Sequence, residues 1–309
     1  MTFTTRIKEE ITKNEITILD SLVELSSYIR YASKITKNKI TLTMENASVA
    51  RRIYKDIKTN FGINIKITIR NQKRFRIKQI YILEINEKVE EVLETLNIMK
   101  NGKKILPEEY FLSTEEESIS FLKGAFLACG SVNDPSTSGY HLEFTTSTKK
   151  DGDYISKILK GFNIQAKVLK RNNNYMTYIK SAEMISLLIR LFGATNSFFY
   201  FEDIRIYRDH KNMVNRLNNC ELANQEKILK TSIKQMEYIE YIKQNDLLGL
   251  LDENVQEAIR YREMYPETSL QELADIISQE TNRKIGKSGI NHYFIKVKKL
   301  VEKHKEKNK

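Results

Sequence analysis

Two places along this chain carry residues whose types and spacing suit chemistry. The first is Phe121–Asp134, FLKGAFLACGSVND. On a helix, Ile119, Leu122, Phe126 and Cys129 fall on one apolar stripe, and Gly124 and Ala128 stand four residues apart. Two small residues at that spacing let a second backbone come close. The Cys129 thiol reads as a small buried apolar group rather than a nucleophile. The second place is Ser288–Lys298. There Asn291 can pair bidentately with adenine in a major groove, and His292 can donate to a purine N7 or a phosphate. Gly289 lets a helix N-terminus, with its free N–H groups, approach a phosphate. Ser288 is expected to cap that helix, and Lys284, Lys287, Lys296 and Lys298 are positioning contacts rather than readers. Ser269 and Gln271, at the start of the preceding helix, join them as candidate DNA contacts. Cys129, Cys220, His141, His210, His292 and His304 make no set with metal-ligand spacing, so no metal is expected. No glycine-rich loop of P-loop or Rossmann type occurs, and no cofactor is expected.

Composition narrows the partners. The 309 residues carry 51 Lys and Arg against 40 Asp and Glu, a formal net charge of +11, which favours a polyanion. An apolar content of 40% supports real cores and argues against wholesale disorder. The longest uncharged run, Leu191–Phe201, is eleven residues, too short to span a bilayer, so no membrane is expected. The start MTFTTRIKEE lacks an apolar leader, and two cysteines without CxxC spacing suit a reducing cytoplasm.

The elements that must position these residues fall into two similar sets. In the first, a helix covers about Glu15–Ala32, with Ile18, Leu22, Leu25 and Ile29 on one face. A strand at Lys39–Glu45 and a helix near Ala47–Asn60 follow, then strands at Ile63–Arg70 and Arg74–Ile85 and a helix near Lys88–Met99. Ile63, Ile65, Ile67 and Ile69 alternate strictly, the mark of a half-buried strand. The second set repeats the order: helix Glu116–Gly130, strand Tyr140–Thr146, helix Asp151–Gly161, strands Gln165–Arg171 and Tyr175–Lys180, helix Ala182–Leu191. Aligning Leu25 with Leu122 gives a period of 97 residues. Asp203–Asn245 reads as one or two long polar helices without Pro or Gly.

The last sixty or so residues read as three short helices. Asn254–Tyr265 is amphipathic and stops before Pro266. Ser269 and Glu272 have the form of a capping box for a helix burying Leu270, Leu273, Ala274 and Ile277. The third helix presents Ile290, Phe294 or Tyr293, Val297, Leu300 and Val301. A polar joint between the last two helices is the layout of a helix-turn-helix. Asp252–Asn282 holds eight acids and two bases, net −6, whereas Arg283–Lys309 holds ten bases and two acids, net +8. If roughly five of those bases meet phosphates, affinity falls with salt with a log–log slope on the order of −4 to −5. A solvated charged tail from Lys296 to Lys309 is the plainer reading of the same residues.

Leu122–Gly130 resembles the LAGLIDADG motif of homing endonucleases. In that family the residue before the last Gly is an acid that holds the catalytic metal. The matched residue here is Cys129, and in the first copy, Leu25–Ser33 (LSSYIRYAS), it is Ala32. Ser27 and Ser33 replace both glycines of that copy, and Tyr31 stands where the second has Ala128. Alanine supplies no ligand and a thiol is a poor Mg²⁺ ligand, so the resemblance implies former metal positions without their chemistry. Asp134 and Glu143 are the carboxylates nearby in sequence that could substitute. The start MTFTTRIKEE, FLKGAFLACGSVNDP with GYHLEF, NRLNNCELAN at Asn215–Asn224, and PETSLQELADII with KSGINHYFIKV together resemble the WhiA family of bacterial regulators, along essentially the whole chain. That resemblance implies a degenerate LAGLIDADG-like domain, a helix-turn-helix domain, and a role in sporulation, cell division and chromosome segregation.

The expectation is therefore an α+β protein. Residues 1–202 form a duplicated LAGLIDADG-like α/β domain with antiparallel sheets, split near 105. Residues 203–250 form a helical linker, and residues 251–309 an all-α helix-turn-helix domain, its motif near 268–301. The chain is expected to be a non-enzymatic binder of double-stranded DNA, cytoplasmic and nucleoid-associated, with no evident small-molecule substrate. A protein-interaction scaffold of the division machinery and, remotely, a metal-dependent nuclease are the alternatives. The basic strand edge Lys73, Arg74, Arg76 and Lys78 is a possible second DNA surface. Asn215, Arg216, Asn219 and Asn224 could fix an interdomain joint through hydrogen bonds.

Overall fold

The computed structural model describes residues 1–72, 78–137 and 139–307, and the chain divides into two compact units, Met1–Arg208 and Asp209–Lys309. Lys73, Arg74 and Arg76 lie outside the described residues, and of Lys78 only its place in a strand is described.

The first unit opens with a helix that the sequence reading did not assign, α1 (Phe3–Ile11). The Thr2 hydroxyl caps it by accepting from the Thr5 N–H at 3.2 Å, and Phe3, Ile7 and Ile11 bury its one apolar edge. Their spacing of four residues was a legible signal. Next come α2 (Ile18–Ala32), β1 (Ser33–Thr36), β2 (Lys39–Met44), α3 (Ala47–Phe61), β3 (Ile65–Gln72), β4 (Lys78–Ile85) and α4 (Val89–Thr95). A ribbon of β5 (Met99–Lys100) and β6 (Lys103–Lys104) leads to α5 (Glu115–Cys129). From there β7 (Gly130–Val132), β8 (Leu142–Thr146), α6 (Lys149–Gly161), β9 (Lys167–Arg171), β10 (Asn174–Ile179) and α7 (Ala182–Leu191) repeat the first set. The two sheets have matching antiparallel orders, β1-β2-β4-β3 and β7-β8-β10-β9. The duplicated α+β architecture is therefore present, with β1 and β7 as edge strands that the sequence reading missed because each is no longer than four residues. The helix expected to reach Met99 stops at Thr95, because Asn97 turns left-handed at φ 53° and its carbonyl accepts from Arg30.

At the centre α2 and α5 lie against each other, and their close contact is set by Gly124. A Cβ there would stand 2.1 Å from both the Glu24 carbonyl oxygen and Ser27 Oγ. Ser27, where the first copy lacks its glycine, folds its hydroxyl back to donate to the Glu24 carbonyl at 3.1 Å, in the space Gly124 leaves open. Leu25, Ile29, Leu122, Ala125 and Phe126 are fully buried around this contact. Each large side chain among them contributes on the order of 1.5–3 kcal/mol through burial. Ile18 opens α2 on the exposed side instead of joining that face. Beside the contact lies a buried charge cluster. Arg52 Nε is 2.8 Å from Asp56 Oδ2 and 3.4 Å from Glu24 Oε1. Burial drives the Glu24 carboxyl up to about 7, against the pull of Arg52.

One alternation behaves differently from its expectation. β3 forms, but only Ile63 before it is buried, while Ile67 and Ile69 are 48% and 56% exposed. β3 is an edge strand of its sheet, paired among the described residues only with β4.

α8 (Thr195–Gln244) is a single 50-residue helix that belongs to both units. It begins before Asp203 because Ser197 Oγ donates to Glu10 at 2.6 Å and Phe201 packs near Phe3, rings 6.3 Å apart. In the second unit, α9 (Glu253–Met264), α10 (Leu270–Thr281) and α11 (Lys287–Lys307) pack Val255, Ile259, Leu273, Ile277, Ile290, Phe294, Val297 and Val301 into one core. Ile239 and Ile242 of α8 complete it. The stretch from Lys296 is helix through Lys307 rather than a loose tail, because Val297 and Val301 anchor it. Among the described residues no helix is long and apolar enough to cross a membrane.

Gly124→Ala forces backbone against backbone, which a helix-propensity gain of under about 1 kcal/mol cannot offset. It should destabilise the N-terminal unit by on the order of 3 kcal/mol and lower its melting temperature by roughly 6–12 °C. An unchanged melting temperature would refute the contact. Glu24 yields a pH effect with a definite sign. Between its ordinary value near 4.5 and about 7, the folded chain keeps a proton that the unfolded chain has released. Its contribution is therefore fully present below that window and is lost as pH rises through it. Glu24→Gln should flatten the fall in stability between about pH 5 and about pH 7.5, read from denaturant midpoints. A slope equal to that of the unaltered chain contradicts this.

Candidate nucleic-acid interface

The two positions matched to the endonuclease acids sit at the ends of the two central helices, Ala32 closing α2 and Cys129 closing α5. The half-buried Cys129 donates its thiol to the Ala125 carbonyl, Sγ to O 3.3 Å, and burial pushes its pKa up to about 12. It is a protonated packing group. A cation from α1 stands beside it: Lys8 Nζ donates to the Leu127 carbonyl at 3.0 Å and lies 5.7 Å from the Phe126 ring centre. Burial lowers the Lys8 pKa to about 8. On the α2 side, Arg30 donates to the Asn97 carbonyl at 2.7 Å, and burial lifts the Tyr31 hydroxyl well above its ordinary value. The acid within electrostatic reach of Arg30, Tyr31 and Cys129 is Asp151. It accepts from Thr148 Oγ1 at 2.7 Å and pairs with Lys104 at 3.5 Å.

These residues do not fit a divalent metal. A hard cation needs converging carboxylates, and here an alanine, a protonated thiol and an intramolecular ammonium occupy the helix ends. The two possible substitutes are engaged elsewhere. Asp134 accepts from Ser136 N (2.9 Å), Ser136 Oγ (2.6 Å) and Tyr200 (3.2 Å). Burial raises its pKa, but those hydrogen bonds outweigh it and leave the carboxyl low. Glu143 pairs with His141 at 2.8 Å. Among the described residues no group of three or more His, Cys, Asp or Glu is placed to hold a metal.

The second place is built by α10, its turn and α11. Ser269 and Glu272 form the expected capping box: the Glu272 N–H donates to Ser269 Oγ at 3.2 Å, and the Ser269 N–H to Glu272 Oε2 at 2.7 Å. Gln271 donates along its own helix to Asp275 at 3.0 Å. Asn282 closes α10 in the left-handed region at φ 51°. Ser278 Oγ then accepts from the Ile285 N–H at 3.1 Å, fixing the turn that holds exposed Lys284. Arg262 is 1% exposed, donates to the Thr268 carbonyl at 2.7 Å and lies over the Phe294 ring at 5.7 Å. It ties α9 and the next turn to α11.

α11 starts at Lys287, two residues earlier than a cap at Ser288 would place it. Ser288 is therefore inside the first turn rather than its cap, and the Gly286 carbonyl accepts from the Gly289 and Ile290 N–H groups. Gly289 has Ile285 Cγ1 at 3.0 Å from where its Cβ would be, so it serves the tight turn as well as the open helix start. With Phe294 buried and Tyr293 packed partly against the same core, the exposed face carries Ser288, Asn291, His292, Ile295, Lys298 and Lys299. Ile295, 41% exposed one turn beyond Asn291, was missed in the sequence; its apolar tip on a polar face is suited to a thymine methyl. Helical spacing from Asn291 was the available signal. Lys296 turns aside to Asp252 at 2.7 Å, and Lys298 is 3.6 Å from Glu302. Both are exposed pairs of little net strength that a phosphate can replace. Asn215, Arg216, Asn219 and Asn224 are exposed on α8. Among the described residues their one side-chain bond is Asn224 Nδ2 to Cys220 Sγ, 3.9 Å.

Comparison with known proteins covers both places. Three family models match in order: the WhiA N-terminal LAGLIDADG-like domain over residues 20–99, the WhiA LAGLIDADG-like domain over 118–211, and the WhiA C-terminal HTH domain over 214–301. Probable cell division proteins WhiA from Bacillus cereus (strain B4264) and Bacillus cytotoxicus are each 36% identical, over 98% of this chain and 97% of theirs. The crystal structure of full-length WhiA from Thermatoga maritima is similar at 25% identity and a TM-score of 0.58, over 98% of this chain and 99% of that one. Three domain models in sequence and relatives matched end to end leave one conclusion: the chain belongs to the WhiA family.

Proposed function

We propose that this protein is a non-enzymatic, sequence-specific binder of double-stranded DNA, a transcriptional regulator serving cell division and chromosome segregation in the cytoplasm, at the nucleoid. The observation that carries the reading is the exposed face of α11. Asn291, His292 and Ile295 sit together on a helix whose other side is pinned by Phe294, Val297 and Val301. Lysines flank that face, so base edges and phosphates can be met at once. Ser269, Gln271, Lys284, Lys287, Ser288, Gly289, Lys296 and Lys298 surround the readers as positioning contacts. The family's helix-turn-helix model supports DNA as the partner, and the relatives' description as probable cell division proteins supports the process. The N-terminal unit then serves as a folded scaffold with its former metal positions filled by Ala32, Cys129 and the Lys8 ammonium.

Asn291→Ala with His292→Ala should weaken binding to a duplex enriched from a random pool by roughly 10–100-fold, while binding to scrambled duplex changes little. Equal losses on both duplexes, or none, in a gel-shift titration would remove α11 as the reader. Plasmid DNA with Mg²⁺ or Mn²⁺ should remain uncut by the natural sequence and by Cys129→Asp, because the new carboxylate meets the Lys8 ammonium and Ala32 still supplies no ligand. Metal-dependent cutting that copurifies with the chain would overturn the non-enzymatic reading.

A further inference from the structure

Within the second unit, a groove of about 530 Å³ runs along α11. One wall is α11 itself, through Asn291, Ile295 and Lys298; the other is α8, through Lys227, Lys230 and Lys234. The three α8 lysines are exposed and fall at i, i+3 and i+7, so they share one helical face. Among the described residues, Lys230 has an exposed partner in Glu226 at 3.3 Å, and neither Lys227 nor Lys234 has an acid within ion-pair distance. The lining thus gathers four lysines against one glutamate. At its base Gln235 is 6% exposed, and its Oε1 has no hydrogen-bond partner. A buried amide oxygen left unpaired is unfavourable, and a half-turn of that amide presents its NH2 to an incoming acceptor.

We propose that this groove seats one sugar-phosphate strand of the duplex whose base edges α11 reads, with Lys227, Lys230 and Lys234 as the phosphate contacts. The inference rests on the DNA-reading role of α11 and adds a second element to it. A helix lying in a major groove has a phosphate backbone along each flank. Here one wall of that flank is already made and basic. Residues three and four apart rise about 4.5–6 Å along a helix, and flexible lysine stems reach successive phosphates from such positions. None of the three lysines faces base edges, so they add affinity and register without sequence preference.

The test uses the full chain with Lys227, Lys230 and Lys234 all changed to Ala, and separately to Arg, with circular dichroism confirming the fold. Two duplexes serve as probes: one enriched from a random pool by the unaltered chain, and one scrambled to the same composition. Each phosphate contact contributes about 0.9 to the log–log salt slope, so the Ala variant should bind with a slope shallower by about 2.7. It should lose affinity equally for both duplexes, while the Arg variant keeps the original slope. An unchanged slope and affinity in the Ala variant, with Asn291→Ala still impairing the enriched duplex, overturns the groove and leaves the reader helix standing. A loss confined to the enriched duplex also overturns it, because that is base readout. So does a concentration-dependent mass lost in the Ala variant at an intact salt slope, which would assign the groove to a second copy. If the unaltered chain binds neither duplex, both readings fall.

Discussion

The backbone of α5 reaches that of α2 at Gly124, where even a methyl group would overlap the Glu24 carbonyl and the Ser27 hydroxyl. That approach brings the ends of both helices, Ala32 and Cys129, to one level and hangs a four-stranded antiparallel sheet from each helix. The asymmetry of the contact is instructive. Ser27 is tolerated opposite Gly124 because its hydroxyl finds the Glu24 carbonyl, so one glycine suffices at this contact. A helix buried on nearly every side has little freedom to drift, so this packing holds without carboxylates at the helix ends.

The charges at these helix ends are the opposite of what a metal site needs. A two-metal site concentrates negative groups; here the half-buried Lys8 and the buried Arg30 stand at the helix ends, each donating to a backbone carbonyl. A Lys8 ammonium beside a protonated Cys129 fills the space with a fixed, internally bonded cation. α1, which delivers Lys8, also bonds β7 through Thr4, whose hydroxyl is 2.9 Å from both the N and the O of Val132. The same short helix therefore fills the space beside Cys129 and braces the sheet edge. In the second unit the buried Arg262 has an analogous structural use, spanning α9, its following turn and Phe294, so that the outer face of α11 is presented from a rigid support.

Much of this was readable from residue patterns. The capping box at Ser269 and Glu272, the inward set Leu273, Ala274, Ile277, the 97-residue period and the close approach at Gly124 all follow from spacing and side-chain size, which are local properties of the chain. The misreadings share a cause. Ile67 and Ile69 alternate and do lie in a strand, yet no local pattern reveals that β3 is a sheet edge on which both are exposed. Ser288 has the right chemistry for a cap, but Gly286 supplies the carbonyl that starts the helix two residues earlier.

The sequence by itself determined the element types, the duplication and the absence of a carboxylate at Ala32 and Cys129, because periodicity, glycine placement and residue identity are independent of what packs where. Only the tertiary structure decided the rest. It brought Lys8 from the first helix to Cys129 more than a hundred residues away, turned Lys296 to Asp252, and set three lysines of α8 across a groove from Asn291. Each of those is a long-range juxtaposition, and the free energy that selects it comes from burying distant apolar surfaces together rather than from any preference of the local chain.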